Sequence, residues 1–124
     1  MILNNQRLLI SWNLNHLTLN SKRKKGADSY MESLSFDASG YSNVILEYYR
    51  KLKGLDTADD FQVEYRKTDG SWQTVEHLGS NRENGGFVFE SYTIPNTATS
   101  LRIKCECGAV SEGCWIDNIR IIAE

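Results

Sequence analysis

Long hydrophobic runs are missing from this 124-residue sequence. None approaches the about 18–20 apolar residues of a membrane-spanning helix, so no membrane insertion is expected. Met1 to Ile10 also lacks a basic start followed by an apolar stretch, so no secretory signal is expected there. The chain is then either intracellular or a module of a longer extracellular or cell-surface protein. An excess of one charge is absent too: 14 Lys and Arg stand against 16 Asp and Glu, for a formal charge of -2. That balance gives no reason to expect nucleic acid or another strongly charged partner. Histidine is scarce (His16 and His77), and no serine or cysteine stands in a nucleophile-elbow context, so catalysis is not expected. The three cysteines are an odd number, which leaves at least one thiol unpaired in a monomer. The length suffices for one domain that buries a core without staples.

What is present is β-signal. Arg7 to Trp12 and Leu14 to Leu19 are short strand candidates, followed by the basic run Lys22-Arg23-Lys24-Lys25. That run reads as a solvated loop, with contact to phosphate, acidic glycan or a membrane surface as the alternative. From Tyr30 the alternation is regular. Tyr30 to Phe36, Val44 to Arg50, Phe61 to Arg66, Trp72 to Leu78, Phe87 to Ile94, Leu101 to Cys107 and Cys114 to Ile122 give seven strands after residue 28. Their spacing, roughly 8 to 16 residues, is that of an antiparallel sandwich. Val44, Leu46 and Tyr48 share one face, and Phe61, Val63 and Tyr65 face inward while Gln62, Glu64 and Arg66 face out. Asp69-Gly70 is a hairpin signal. The expected class is all-β, an antiparallel two-sheet sandwich over residues 27–124, preceded by a segment (1–26) holding one or two strands and a basic loop.

The last stretch, Cys114 to Ile122, is rich in β-branched residues. Strict alternation puts Trp115, Asp117, Ile119 and Ile121 on one face, and Cys114, Ile116, Asn118, Arg120 and Ile122 on the other. A carboxylate thus falls in register with a tryptophan and two isoleucines. Burying it unpaired would cost several kcal/mol, roughly, so Asp117 must be hydrogen-bonded, cation-bound or at a solvated end of the sheet.

Cys105 and Cys107 share a strand face about 7 Å apart, too far to join each other. A hairpin through Gly108 to Gly113 would bring Cys107 against Cys114, the disulfide expected in an oxidising compartment. Cys105 would then pack beside Leu101 and Ile103 as a small hydrophobe. The spacing is not that of a zinc site. Asp56, Asp59 and Asp60 form an acidic loop without the glycine pattern of an EF-hand, and read as a solvated turn.

Several motifs carry a resemblance when taken in order: Ala27-Asp-Ser-Tyr-Met-Glu, Phe36-Asp-Ala-Ser-Gly-Tyr-Ser-Asn-Val44, Gly54-Leu-Asp, Asp60-Phe-Gln-Val-Glu-Tyr65, Asp69-Gly-Ser-Trp72 and Trp115-Ile-Asp-Asn-Ile119. Over about residues 27 to 122 the chain resembles the jelly-roll β-sandwich modules appended to secreted bacterial enzymes and surface proteins. It is similar in outline to MAM domains and to jelly-roll carbohydrate-binding modules. The resemblance implies a jelly-roll topology and a structural Ca2+ on Asp117, with Asp28, Glu32 and Asn118 as further ligands, since calcium takes 6–8 oxygens. An aspartate that accepts backbone N–H bonds at a sheet corner is the alternative. The resemblance leaves function open among glycan binding, adhesion and spacing.

Trp12, Trp72, Trp115, Tyr41, Tyr48, Tyr49 and Tyr92 include candidate sugar platforms, because pyranose rings present apolar C–H faces to aromatics. If Val44, Leu46 and Tyr48 face the core, Tyr49 and Tyr92 are the exposed candidates, and Tyr49 with Glu64, Arg66 or Arg102 is the expected ligand-binding set. The outward residues Gln62, Glu64, Arg66, Arg102, Lys104 and Glu106 are mixed in charge, which suits a soluble glycan better than a crystalline one. The expected function is therefore a non-catalytic accessory module that binds a glycan or surface polysaccharide. The alternative is a structural or adhesive unit that self-associates through sheet edges and takes no small ligand.

Overall fold

The computed structural model describes residues 8–12, 17–19, 29–32, 35–53, 60–79, 86–106 and 113–124. His16, the basic run 22–25, Asp28, Asp56, Asp59 and Cys107 lie outside them. Nine strands are found among the described residues: β1 (Leu8–Trp12), β2 (Leu17–Leu19), β3 (Ser29–Glu32), β4 (Val44–Lys53), β5 (Asp60–Arg66), β6 (Trp72–Gly79), β7 (Val88–Ile94), β8 (Leu101–Glu106) and β9 (Gly113–Ala123). Every pairing is antiparallel. Sheet I runs β1-β9-β4-β7, with β2 also on β9, and sheet II runs β3-β8-β5-β6. From β3 to β9 the chain passes between the sheets at every step except the β5–β6 hairpin. The architecture is the antiparallel two-sheet jelly-roll sandwich.

Alternation builds the core that the two sheets enclose. Val44, Leu46, Tyr48 and Leu52 on β4, Phe61 and Val63 on β5, and Leu101, Ile103 and Cys105 on β8 are at most 1% exposed. Fully burying a large apolar side chain contributes about 1.5–3 kcal/mol, so this layer is the main stabilising term. The β5–β6 turn closes at Asp69-Gly70, where Gly70 takes φ 88°, a left-handed conformation that a side chain would strain. Asp69 Oδ1 accepts from the Ser71 backbone N–H at 2.9 Å, and its carboxyl is held below the usual range, first by the Ser71 side-chain hydrogen bond.

The faces of β9 differ from strict alternation. Glu47 of β4 pairs with Arg120, but Tyr49, two residues on, pairs with Asp117, so β9 carries one extra residue. Asn118 sits at this bulge with φ 52°, the left-handed region that asparagine tolerates better than most residues. The bulge reverses the parity. Cys114 and Ile116 face the core before it, and Ile119, Ile121 and Ala123 after it. Trp115 and Asp117 therefore lie on the outer face and do not share a face with Ile119 and Ile121.

The disulfide is also different from expectation: Cys114 bonds to Cys105, with Cα atoms 6.1 Å apart, not to Cys107. The physical reason is topological. β8 and β9 are consecutive but belong to opposite sheets, so they do not form the hairpin on which the expected pairing rested. The inward-facing Cys105 meets the inward-facing Cys114 across the sandwich instead. Closing a loop of this length (sequence separation 9) stabilises by about 2–3 kcal/mol.

Asn118 gives a direct check on the bulge. Asn118→Gly should leave the unfolding free energy within about 0.5 kcal/mol of wild type, whereas Asn118→Val should lower it by about 1–2 kcal/mol. Urea titrations measure both, and a valine variant as stable as wild type would disprove the strained register.

Candidate functional site

The outer face of sheet I is assembled from the residues that alternation and the bulge turn away from the core. Across three neighbouring strands, Phe89 of β7 pairs with Tyr49 of β4, which pairs with Asp117 of β9. One row further along, Lys51 pairs with Trp115, and on the other side Ser91, Glu47 and Arg120 align. Strand spacing near 4.8 Å makes this shelf about 10 Å wide. Tyr49 is 38% exposed and Phe89 45%, with ring centroids 5.1 Å apart at an interplanar angle of 55°. Lys51 Nζ lies 5.3 Å from the Trp115 ring centroid, within cation–π range. Arg120 Nη2 donates to Glu47 Oε1 at 2.7 Å. The shelf thus offers adjacent aromatic surface with charged and hydroxyl groups at its margins.

A second constellation lies inside the sandwich, where edge strand β6 of sheet II faces edge strand β7 of sheet I. Glu76 is 7% exposed and so is Arg50. Arg50 holds the carboxylate with both fork positions, Nε to Oε1 and Nη2 to Oε2, each at 2.9 Å. Tyr48 Oη donates to Glu76 Oε1 at 2.6 Å. The Tyr92 hydroxyl lies 2.9 Å from Glu76 Oε2 and 2.7 Å from Glu90 Oε2, one proton placed between two carboxylates. Burial pushes Glu76 up, but the hydrogen bonds from Arg50, Tyr48 and Tyr92 and the charge of Arg50 outweigh it, and the carboxyl is held below its usual value. Burial and the neighbouring carboxylates push both tyrosines well above the usual phenol range. The cluster is therefore ionic and permanently protonated on its phenols at neutral pH.

The expected site residues are distributed as follows. Tyr49 is on the outer face of sheet I, as alternation implied, with Val44, Leu46 and Tyr48 buried. Glu64, Arg66 and Arg102 are on the outer face of sheet II, so they do not form one site with Tyr49. Arg102 Nε donates to Glu64 Oε1 at 3.0 Å, and the Arg102 guanidinium sits 4.1 Å from the Trp72 ring centroid, with Arg66 at 5.8 Å. Tyr92, the other expected platform, faces inward and stacks on Tyr48 at 6.2 Å. Asp117 accepts the Asn118 backbone N–H at 2.9 Å. Glu32 belongs to β3 in the opposite sheet, so the described residues bring together only Asp117 and Asn118 of the expected calcium ligands. Among the described residues, no group of three or more His, Cys, Asp or Glu could hold a metal ion. Asp60 opens β5, where its Oδ1 is 2.5 Å from His77 Nε2. Sequence reasoning missed Phe89 and Lys51 on the shelf and the inward turn of Glu76 and Glu90. Alternation in Phe87 to Ile94 was the one available signal, because the apolar Ile94 before Pro95 marks the buried parity.

No protein-family model matches the sequence, and no curated protein matches it by sequence. The fold is similar to that of a cleaved adhesin domain of Lys-gingipain from Porphyromonas gingivalis, with a TM-score of 0.57 at 10% identity over 78% of this chain and 62% of that one. A second cleaved adhesin domain of Lys-gingipain matches with a TM-score of 0.51 at 12% identity, over 78% of this chain and 64% of that one. A variant of a family 29 carbohydrate-binding module matches with a TM-score of 0.52 at 10% identity, over 97% of this chain and 82% of that one. The chain thus spans less than two thirds of these two adhesin domains. At such identities the likeness establishes the β-sandwich fold alone.

The buried cluster sets a pH dependence. Because the folded Glu76 carboxyl is held below the ordinary glutamate value of about 4.3, its contribution to stability is complete above that value and is lost as pH falls through the folded one. Wild type should therefore lose stability on acidification more steeply than Glu76→Gln. Arg50→Met, which leaves Glu76 buried without its cation, should cost about 3–5 kcal/mol at pH 7, and the double variant Arg50→Met/Glu76→Leu less than that. Denaturant titrations from neutral to acid pH measure all four proteins; equal acid slopes for wild type and Glu76→Gln would refute the assignment.

Proposed function

We propose that the chain is a non-catalytic accessory module that binds a soluble glycan or surface polysaccharide through the outer face of sheet I. The observation that carries this reading is the exposed Tyr49–Phe89 pair, two rings that touch each other on the solvent side of a sheet with Lys51, Asp117 and Glu47 around them. Exposed aromatic surface has a cost in water, and a sugar ring covers it with C–H groups while the flanking polar groups orient its hydroxyls. The 55° tilt makes the pair a cradle for a single chain rather than a flat shelf for a crystalline face. That a carbohydrate-binding module and two adhesin domains share the fold supports the same reading. The disulfide between Cys105 and Cys114 suits an oxidising location, and the module belongs, on this reading, outside the cell or on its surface as part of a longer protein. The MAM-like outline rests on sequence motifs alone.

Isothermal calorimetry against a panel of soluble neutral and acidic polysaccharides tests this. Binding is expected in the roughly micromolar to millimolar range, and Tyr49→Ala and Phe89→Ala should each weaken it at least about tenfold with the fold intact. Heat of binding that survives both substitutions would remove the shelf as the site, and no heat with any glycan would remove the reading.

A structural calcium on Asp117 and Asn118, completed by backbone carbonyls, is part of the same proposal. Two side chains supply too few oxygens by themselves for a 6–8 coordinate ion. With calcium bound, added chelator should lower the melting temperature of wild type but not of Asp117→Ala. Identical melting of metal-free wild type with and without calcium would dismiss the ion.

A further inference from the structure

We propose that β7 is a self-complementary edge through which two copies of this chain pair, joining their sheets I into one continuous sheet. An edge strand presents a row of unsatisfied backbone groups, and folded proteins guard such rows with lysine, proline, bulges, inward-pointing charges, a covering loop or brevity. The other edges among the described strands are guarded. β6 carries a bulge where its pairing with β5 shifts between Val63 and Glu64. β3 has four residues, and β1 and β2 are separate short strands along β9. Among the described residues β7 has no bulge, lysine or proline and is not short. Its seven residues pair with β4 without a register shift, from Val88 opposite Arg50 to Ile94 opposite Val44. It contains no lysine, arginine or proline. Its one charge, Glu90, faces inward, a partial guard that is offset because Tyr92 and Arg50 of the same chain already bind the carboxylate.

The occupant follows from the strand's own sequence. An isologous pair places a two-fold axis at one residue, and the centre of Val88–Ile94 is Ser91. Antiparallel pairing about that axis sets Val88 opposite Ile94 of the second copy, Phe89 opposite Thr93, Glu90 opposite Tyr92, and Ser91 opposite itself. Each is a favourable or neutral cross-strand pair, and no like charges meet. A shift of the axis to Glu90 would set two carboxylates face to face. On the outer side the exposed Phe89 rings of both copies would lie on one surface together with both Tyr49 rings. The inference stands on the edge and not on glycan binding. A single ladder is small beside the about 1,600 Å² of a standard stable interface, so the pairing should be reversible and concentration-dependent.

Sedimentation velocity on the whole chain, with its unpaired thiol alkylated, decides the matter over about 1 to 500 µM. Wild type should pass from monomer to dimer in that range. Ser91→Lys sets two ammonium groups against each other on the axis and should weaken dimerisation at least about tenfold. Thr68→Lys makes the same charge change in the β5–β6 turn and should dimerise as wild type. Ser91→Cys in a Cys107→Ser background should form a disulfide-linked dimer on mild oxidation, which Thr74→Cys on β6 should not. Wild type that stays monomeric throughout, Ser91→Lys that assembles like wild type, or an absent Ser91→Cys cross-link overturns the proposal.

Discussion

One extra residue in β9 governs how this sandwich is divided into an inside and an outside. β9 is the central strand of sheet I, paired with β4 on one side and with β1 and β2 on the other. Without the bulge at Asn118, the parity set by Cys114 and Ile116 would carry Asn118, Arg120 and Ile122 into the core. Two polar side chains would then displace isoleucines, at several kcal/mol, roughly, for each one left unpaired. With the bulge, one strand performs two tasks. Its first half places Cys114 against Cys105 of the facing sheet, and its second half supplies Ile119, Ile121 and Ala123 to the core. The outer face depends on the same residue, because it is the bulge that sets Asp117 opposite Tyr49, one row from Trp115 opposite Lys51.

On the β6–β7 side the core changes character. Arg50 continues the inward parity of Val44, Leu46 and Tyr48, so a guanidinium arrives where an aliphatic chain would be expected. It is tolerated because Glu76 from the other sheet meets it in a bidentate bond and two phenols fill the remaining acceptor positions. Such a cluster is not a strong net stabiliser compared with apolar packing of similar volume. What it does impose is direction: the hydrogen bonds fix how β6 and β7 face one another, and they hold Glu90 and Tyr92 inward. The aromatic residue of β7 that remains for the outer face is Phe89. The polar interior and the aromatic exterior of that strand are two sides of one constraint.

The sequence made the strands legible because β-branched and aromatic residues alternate with charges over most of them. β4 and β5 read correctly down to the exposure of Tyr49. β9 did not, for a specific reason: isoleucine stands at both parities (Ile116 and Ile122, Ile119 and Ile121), so alternation carries no mark where the phase slips. Asn118 is compatible with a left-handed bulge but also with an ordinary polar position. β7 is ambiguous in the same way, with Val88 and Ile94 on one parity and Phe89 on the other. The cysteine pairing was beyond local reading because it depends on whether β8 and β9 share a sheet. That is also why Tyr49 was grouped with Glu64, Arg66 and Arg102: each residue was assigned correctly to an outer face, but the chain order does not say that the two outer faces are opposite.

The two outer faces differ in what they leave available to a partner. On sheet II the cations are already engaged: Arg102 bonds Glu64 and covers Trp72, and Arg66 approaches the same ring while its Nε reaches the Gly70 carbonyl at 3.3 Å. A ligand there would have to displace protein–protein contacts before making its own, and Trp72 has lost much of its stacking surface to a guanidinium. On sheet I the Tyr49 and Phe89 rings lean on each other and still expose 38% and 45% of their surface. Binding on these two rings removes apolar area from water without displacing a cation from them, although the charges beside them are engaged as on sheet II, Arg120 with Glu47 and Lys51 with Trp115. The faces therefore differ in whether a guanidinium covers the aromatic ring, as it does at Trp72 and does not at Tyr49 and Phe89. A mixed-charge sheet surface, which in the sequence looked suited to a sugar, is in the folded protein largely satisfied by its own neighbours.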